Sequence, residues 1–130
     1  MDGTCVEAFR FYEKTLGGKI EFMQTFGESP AAKDAPPEWH SRVLHTLLRV
    51  GDAVVMASDT PPGQFKQPQG ISVSIGLDDD ARAEQIYKAL VENAKSTEMP
   101  LQETFWARKF ATLVDRFGTP WIINSGSRNV

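Results

Sequence analysis

The spacing of apolar residues changes period several times along the chain, and each change marks an element. Val6, Phe9, Tyr12 and Leu16, broadened by Ala8 and Phe11, recur at helical spacing. Thr4-Cys5-Val6-Glu7 ahead of them has the hydroxyl-x-x-carboxylate form of a capping box, and Gly17-Gly18 behind them supplies a left-handed stop. The pattern then turns strand-like from Lys19 to Phe26. It dissolves in a Pro- and Gly-bearing loop over 27–41 and resumes as strands at Val43–Val50 and Ala53–Ser58, joined by a tight Gly51-Asp52 turn. Pro61, Pro62, Gly63, Pro68 and Gly70 punctuate a linker. A strand over Ile71–Leu77 follows, then Asp78-Asp79-Asp80 as acidic caps for an amphipathic helix. That helix has Ala83, Ile86, Tyr87, Leu90, Val91 and Ala94 on one face. Three further strands are expected at about 98–105, 109–116 and 120–125, the last two joined through Phe117-Gly118-Thr119-Pro120.

The halves repeat one another. His45–Met56 matches Thr112–Ile123 at a shift of 67 residues, with Arg49 on Arg116 and Gly51 on Gly118. The helices match at a shift of 75, Ala8 and Tyr12 falling on Ala83 and Tyr87. The shared order of helix, strand, strand, glycine turn and strand argues for a duplicated unit. The expected organisation is one domain over 1–130: a first module over 1–60, a linker over 61–70 and a second module over 71–130.

Composition narrows the function classes. With 41% apolar and 24% charged residues, 130 residues suffice for one packed core and do not resemble a disordered tail. The net charge of -3 is spread among interspersed acidic and basic residues, so no nucleic-acid footprint is expected. Apolar runs are too short for a membrane helix, and no signal-peptide pattern precedes the first helix; a cytoplasmic location is expected. One cysteine, Cys5, excludes an internal disulfide and a multi-cysteine zinc site. Its place in the first helical turn suits either a nucleophile or a small packed residue. No G-x-S-x-G, phosphate-cradling loop or dinucleotide fingerprint is present.

Several phrases are similar to the PhnB-like branch of the vicinal-oxygen-chelate superfamily, the glyoxalase/bleomycin resistance/dioxygenase group. They are Asp2-Gly3-Thr4-Cys5 leading into Glu7-Ala8-Phe9-Arg10-Phe11-Tyr12, then Leu16-Gly17-Gly18, Val55-Met56-Ala57-Ser58-Asp59 and Gln102-Glu103-Thr104-Phe105-Trp106-Ala107. The last is Asp115-Arg116-Phe117-Gly118-Thr119-Pro120-Trp121-Ile122-Ile123-Asn124. The resemblance implies an α+β fold of two βαβββ modules whose curled mixed sheets enclose a cup. The resemblance implies an apolar strand ahead of Asp2-Gly3-Thr4-Cys5, and against that pattern the first strand is expected to be missing or truncated. It implies a small-molecule ligand in the cup and a homodimer. It also raises a ubiquinone-pathway methyltransferase activity, against which stands the lack of a Gly-rich loop between a strand and a helix.

In metal-dependent members of that superfamily, His and Glu ligands come from the first and last strands of each module. Here Ile71-Ser72-Val73-Ser74-Ile75, Val54-Val55-Met56-Ala57-Ser58 and Trp121-Ile122-Ile123-Asn124-Ser125 offer neither, so no metal cofactor is predicted. The alternative is a divalent-metal lyase or dioxygenase acting on a small oxygenated substrate. The ligand-cup candidates are His45, Leu47, Met56, Glu103, Phe105 and Trp106. Strand alternation groups His45 with Val43, Leu47 and Arg49, and Glu103 with Leu101 and Phe105. His45 and Glu103 are either an acid/base pair in the cup or groups that are structurally hydrogen-bonded or lie at a strand end in water. Phe105 and Trp106, being adjacent in an expected strand, should face opposite ways. Trp121 reads as core or dimer contact, Trp39 and His40 as residues of an exposed loop or a lid, and Arg49 and Arg116 as equivalent hairpin positions.

Overall fold

The structure is a computed structural model, described for residues 1–128. The chain divides into two compact units, the first over Met1–Lys66 and the second from Gln67 onward. Among the described residues they hold two α-helices and seven strands.

In the first unit, α1 (Cys5–Leu16) is followed by β1 (Lys19–Thr25), β2 (Val43–Val50) and β3 (Ala53–Ala57), an antiparallel sheet of order β1-β2-β3. The loop before β2 carries two short 3-10 turns, Pro30–Lys33 and Pro37–Trp39. α1 buries Cys5, Ala8, Phe9 and Tyr12 against β1 and β2, where Thr46 and Leu48 are fully buried. The expected capping box at Thr4 does not form: Thr4 makes no side-chain cap bond. A carboxylate distant in sequence replaces it. Asp59, just past β3, accepts from the Cys5 N–H at 3.2 Å and from the Val43 N–H at 2.9 Å, tying the helix start to the sheet. At the other end Gly17 takes φ 68°, a left-handed stop. Gly18 lies so close to β2 that a Cβ there would sit 2.5 Å from the Arg49 carbonyl oxygen, which explains the paired glycines.

In the second unit, β4 (Val73–Leu77) precedes α2 (Asp80–Val91), β5 (Ser96–Gln102), β6 (Ala107–Val114) and β7 (Pro120–Ser127). The sheet order is β4-β7-β6-β5, with β4 parallel to β7 and the other pairs antiparallel. Asp79 caps α2 by accepting from the Arg82 N–H at 3.0 Å, as the Asp78-Asp79-Asp80 run suggests. α2 buries Ala83, Ile86 and Leu90 over Ala111, Leu113, Trp121 and Ile123.

β5 and β6 begin and end earlier than the sequence pattern implies. Asp115 terminates β6: its buried carboxylate accepts from the Phe117 and Thr119 N–H groups at 2.9 and 3.0 Å and from the Trp121 indole at 2.8 Å. The second hairpin turn therefore spans Asp115–Thr119, whereas the first is Gly51-Asp52. Arg49 and Arg116 are consequently not equivalent. Arg49 lies within β2, paired to Glu21 at 2.6 Å, while Arg116 lies in the turn with its guanidinium 5.0 Å from the Phe117 ring centroid.

The repeat survives with a corrected register. Buried Leu48 pairs with Val55 as buried Leu113 pairs with Trp121, which puts Val55 on Trp121, Ala57 on Ile123 and Asp59 on Ser125, a shift of 66 at the closing strands. Ser125 donates its hydroxyl to Asp80 at 2.8 Å, and Asp80 opens α2 as Cys5 opens α1. Both units thus clamp the helix start to the end of the closing strand through a carboxylate. In the second unit the Arg108 hydrogen bond, then that of Ser125, holds the Asp80 carboxyl below its ordinary 3.8.

Candidate functional site

Each sheet has one face beneath its helix and one face left open, and the alternation of β-strands decides which side chains reach the open face. In the first unit the register sets Leu47 between Phe22 of β1 and Met56 of β3, with His45 opposite Gln24. The His45 and Phe22 rings lie 5.8 Å apart. His45 and Leu47 are half-buried, while Phe22 is 45% and Met56 61% exposed. Three of the expected site residues, His45, Leu47 and Met56, therefore share one apolar surface with a single imidazole on it. Arg49 bonds Glu21 in two places beside them. That bond holds the Glu21 carboxyl below, and the guanidinium above, their ordinary values.

On the open face of the second unit stand Ser74 and Gly76 of β4, Ile122 and Asn124 of β7, and Phe110, Thr112 and Val114 of β6. Asn124 lies opposite Phe110, whose ring packs edge-on against Trp106 at 5.1 Å. The Asn124 amide donates to the Ser127 hydroxyl at 2.6 Å, while its Oδ1 is buried and has no hydrogen-bond partner among the described residues. Exchanging amide oxygen and nitrogen leaves the same count: one end on Ser127, the other unmet. A buried unpaired amide end costs about 1–3 kcal/mol, so it marks a place that a ligand group would improve.

Glu103, Phe105 and Trp106 fall in the β5–β6 connection and not in a strand, so alternation does not separate them. Thr104 closes that connection by accepting from the Ala107 N–H through its hydroxyl at 3.1 Å. The Phe105 and Trp106 rings touch at 4.7 Å; Trp106 leans onto Phe110, and Phe105 is 74% exposed. Glu103 is exposed and ion-paired to Arg128. Trp121 is core, 2% exposed and bonded to Asp115. Trp39 packs on Phe26, and the His40 Nε2 lies 3.1 Å from the Ala35 carbonyl oxygen within its own loop.

Cys5 is no nucleophile. It is fully buried, and burial, then the negative charge of Asp59, pushes its thiol from 9.0 up to about 12.

Phe110, Thr112 and Asn124 are the face residues that the sequence pattern left unassigned. The signal that finds them is the alternation of buried Ala111, Leu113, Trp121 and Ile123 once Asp115 is recognised as the residue ending β6.

The resemblance raises two groups, a divalent metal and a methyl-donor nucleotide. A divalent metal needs several hard or borderline donors. The closing strands present Met56 and Asn124, and among the described residues no three His, Cys, Asp or Glu side chains cluster. The residues do not fit the metal. A methyl-donor nucleotide needs an open, Gly-rich strand-to-helix connection. The β4–α2 connection is Asp78-Asp79, and Asp79 already occupies the helix start. The residues do not fit that cradle either.

Comparison with known proteins agrees with this architecture. The fold is that of the glyoxalase/bleomycin resistance group: a family enzyme of that description from Burkholderia phytofirmans superposes with a TM-score of 0.56 at 15% identity, over 92% of this chain and 88% of its own. The family model described as 3-demethylubiquinone-9 3-methyltransferase matches residues 1–124, and the chain belongs to that PhnB-like family. Protein YjdN of Escherichia coli K12 is 31% identical over 94% of this chain and 88% of its own length. The crystal structure of PA1353 from Pseudomonas aeruginosa is 40% identical, with a TM-score of 0.87 over 98% of this chain and 92% of that one. The PhnB protein of Bacillus cereus shares the fold, with a TM-score of 0.80 at 18% identity over 97% and 94% of the two chains. No helix among the described residues is long and apolar enough to cross a membrane.

Proposed function

We propose that this protein binds a small organic molecule on the open sheet faces, using hydrogen bonds and aromatic contact without a metal. The observation that carries the reading is the unmet end of the Asn124 amide beside Phe110 and Trp106. Ligand sites are mostly apolar surfaces with a few polar groups that fix orientation. The second unit's face has that composition, and the first supports it with Phe22, Leu47 and Met56 around His45. The reading also places the protein in the cytoplasm as a homodimer. Exposed Val54 on β3, the edge strand of its sheet, supports the dimer.

The test is a thermal-shift screen of small aromatic and carbonyl compounds, with hits mapped by backbone amide NMR. Expected is a hit that moves the Phe110, Thr112 and Asn124 signals and is lost in Asn124→Leu, a variant that folds because it removes a buried unpaired group. Hits that move only helix or loop signals, or that survive Asn124→Leu unchanged, contradict the reading.

A further inference from the structure

Beyond Asn124, the open face of the second unit carries a cavity of about 380 Å³ at the strand ends where β7 begins. It crosses the sheet from Ile71 and Ser72, over Pro120, Thr112 and Val114, to Glu98 on β5. Thr112, Val114 and Pro120 project from the open face, opposite buried Leu113 and Trp121, so the cavity lies away from α2. Its far wall is a fixed piece of chain: the Gln67 amide donates to the Gly118 carbonyl at 2.7 Å and anchors the segment leading to Ile71. Gly118 cannot be otherwise, since its φ is 88° and a Cβ would meet the Gln67 Oε1 at 2.7 Å.

The chemistry of the lining selects a ligand. Pro68, Ile71, Val114 and Pro120 supply apolar surface, and Ile71 is 73% exposed. Ser72 and Thr112 supply hydroxyls, and Glu98 is the one charged side chain among the lining residues. A register shift between Thr97 and Met99 interrupts the β5–β6 ladder at Glu98. Its Oε1 accepts from the Ser96 hydroxyl at 2.6 Å. A carboxylate oxygen keeps further lone pairs after one such bond. The volume lies at the small end of the range for organic ligands, about 300–1,000 Å³.

We infer that this cavity takes a small amphiphilic cation, an amine whose ammonium meets Glu98 while its apolar body lies on Ile71, Val114 and Pro120. The assignment rests on the small-molecule reading above and deepens it by naming the ligand class. Neither an anion nor a neutral apolar molecule would use the single carboxylate, and an anion would be repelled by it.

The test compares three probes of one size, 2-phenylethylamine, 2-phenylethanol and phenylacetate, titrated into the full chain and followed by NMR at Ser72, Thr112 and Val114. The amine is expected to bind in preference to the other two. Glu98→Gln is expected to weaken it about fivefold, the scale of an exposed ion pair, and Glu98→Lys to abolish it. Glu92→Gln, which alters an exposed carboxylate at the end of α2, serves as the control and should leave the amine unaffected. If alcohol and amine bind alike and Glu98→Gln changes neither, the cation assignment is overturned while small-molecule binding stands. If no probe binds at millimolar concentration, the assignment is overturned. The Asn124 experiment then judges the broader reading independently.

Discussion

β3 and β7 occupy the same place in the repeat but differ in burial along their matched lengths, up to Asp59 and Ser125, which are both buried. Val54, Met56 and Ser58 are exposed where Pro120, Ile122 and Asn124 are half-buried; Val55 and Ala57 are half-buried where Trp121 and Ile123 are buried. The difference tracks one strand. β4 runs parallel along the outer edge of β7, while β3 is the edge of its three-stranded sheet. Two units with a common hairpin plan therefore finish differently: one closing strand becomes core, and the other remains a surface with apolar side chains on it. The buried carboxylates follow the same division. Asp115 organises the hairpin and the indole of the second unit, whereas Asp59 anchors helix to strand in the first.

The sharpest way to break this comparison is to remove each anchor. Asp115→Ala strands two backbone N–H groups and the Trp121 indole in a buried site, and about 3–5 kcal/mol of unfolding free energy should disappear in urea titrations. Asp59→Ala strands two backbone N–H groups and should cost less, about 2–3 kcal/mol. Its extra hydrogen exchange should be concentrated in α1 and β2. If Asp59 proved the costlier of the two, the contrast between a hairpin organiser and a helix anchor would be wrong.

A smaller effect should appear at alkaline pH. The Cys5 thiol ionises at 9.0 when free and at about 12 in the folded chain, so between those values the unfolded state loses its proton first. Stability contributed by the neutral buried thiol is whole below 9.0 and declines as pH rises toward about 12. Cys5→Ala should flatten that decline relative to the parent protein. A thiol reagent at neutral pH should modify Cys5 only as fast as the first unit opens. Rapid modification of the folded protein would contradict the burial.

Much of this was legible in the sequence, for identifiable reasons. Both helices follow from apolar spacing backed by local signals, Gly17-Gly18 and Asp79, and the Gly51-Asp52 hairpin from the residue types its turn demands. The failures are tertiary. Thr4 looks like a cap, but Asp59, distant in the chain, does the capping. Asp115 resembles a strand residue in an alternating pattern, and only the three donors it satisfies show why β6 stops there. β5 ends three residues earlier than expected, which leaves Glu103 and Phe105 in a connection and not in a strand. His45, Leu47 and Met56 came out on one face because β2 and β3 have no such interruption.

The account's central claim is that the open faces hold a ligand through protein groups alone. Metal content of protein purified without chelator, followed by melting with zinc, manganese and nickel ions, tests it most directly. Predicted is far less than one metal per chain and a melting temperature that these ions leave unmoved. Stoichiometric metal with a large, saturable stabilisation would contradict the claim and favour a metal-dependent enzyme.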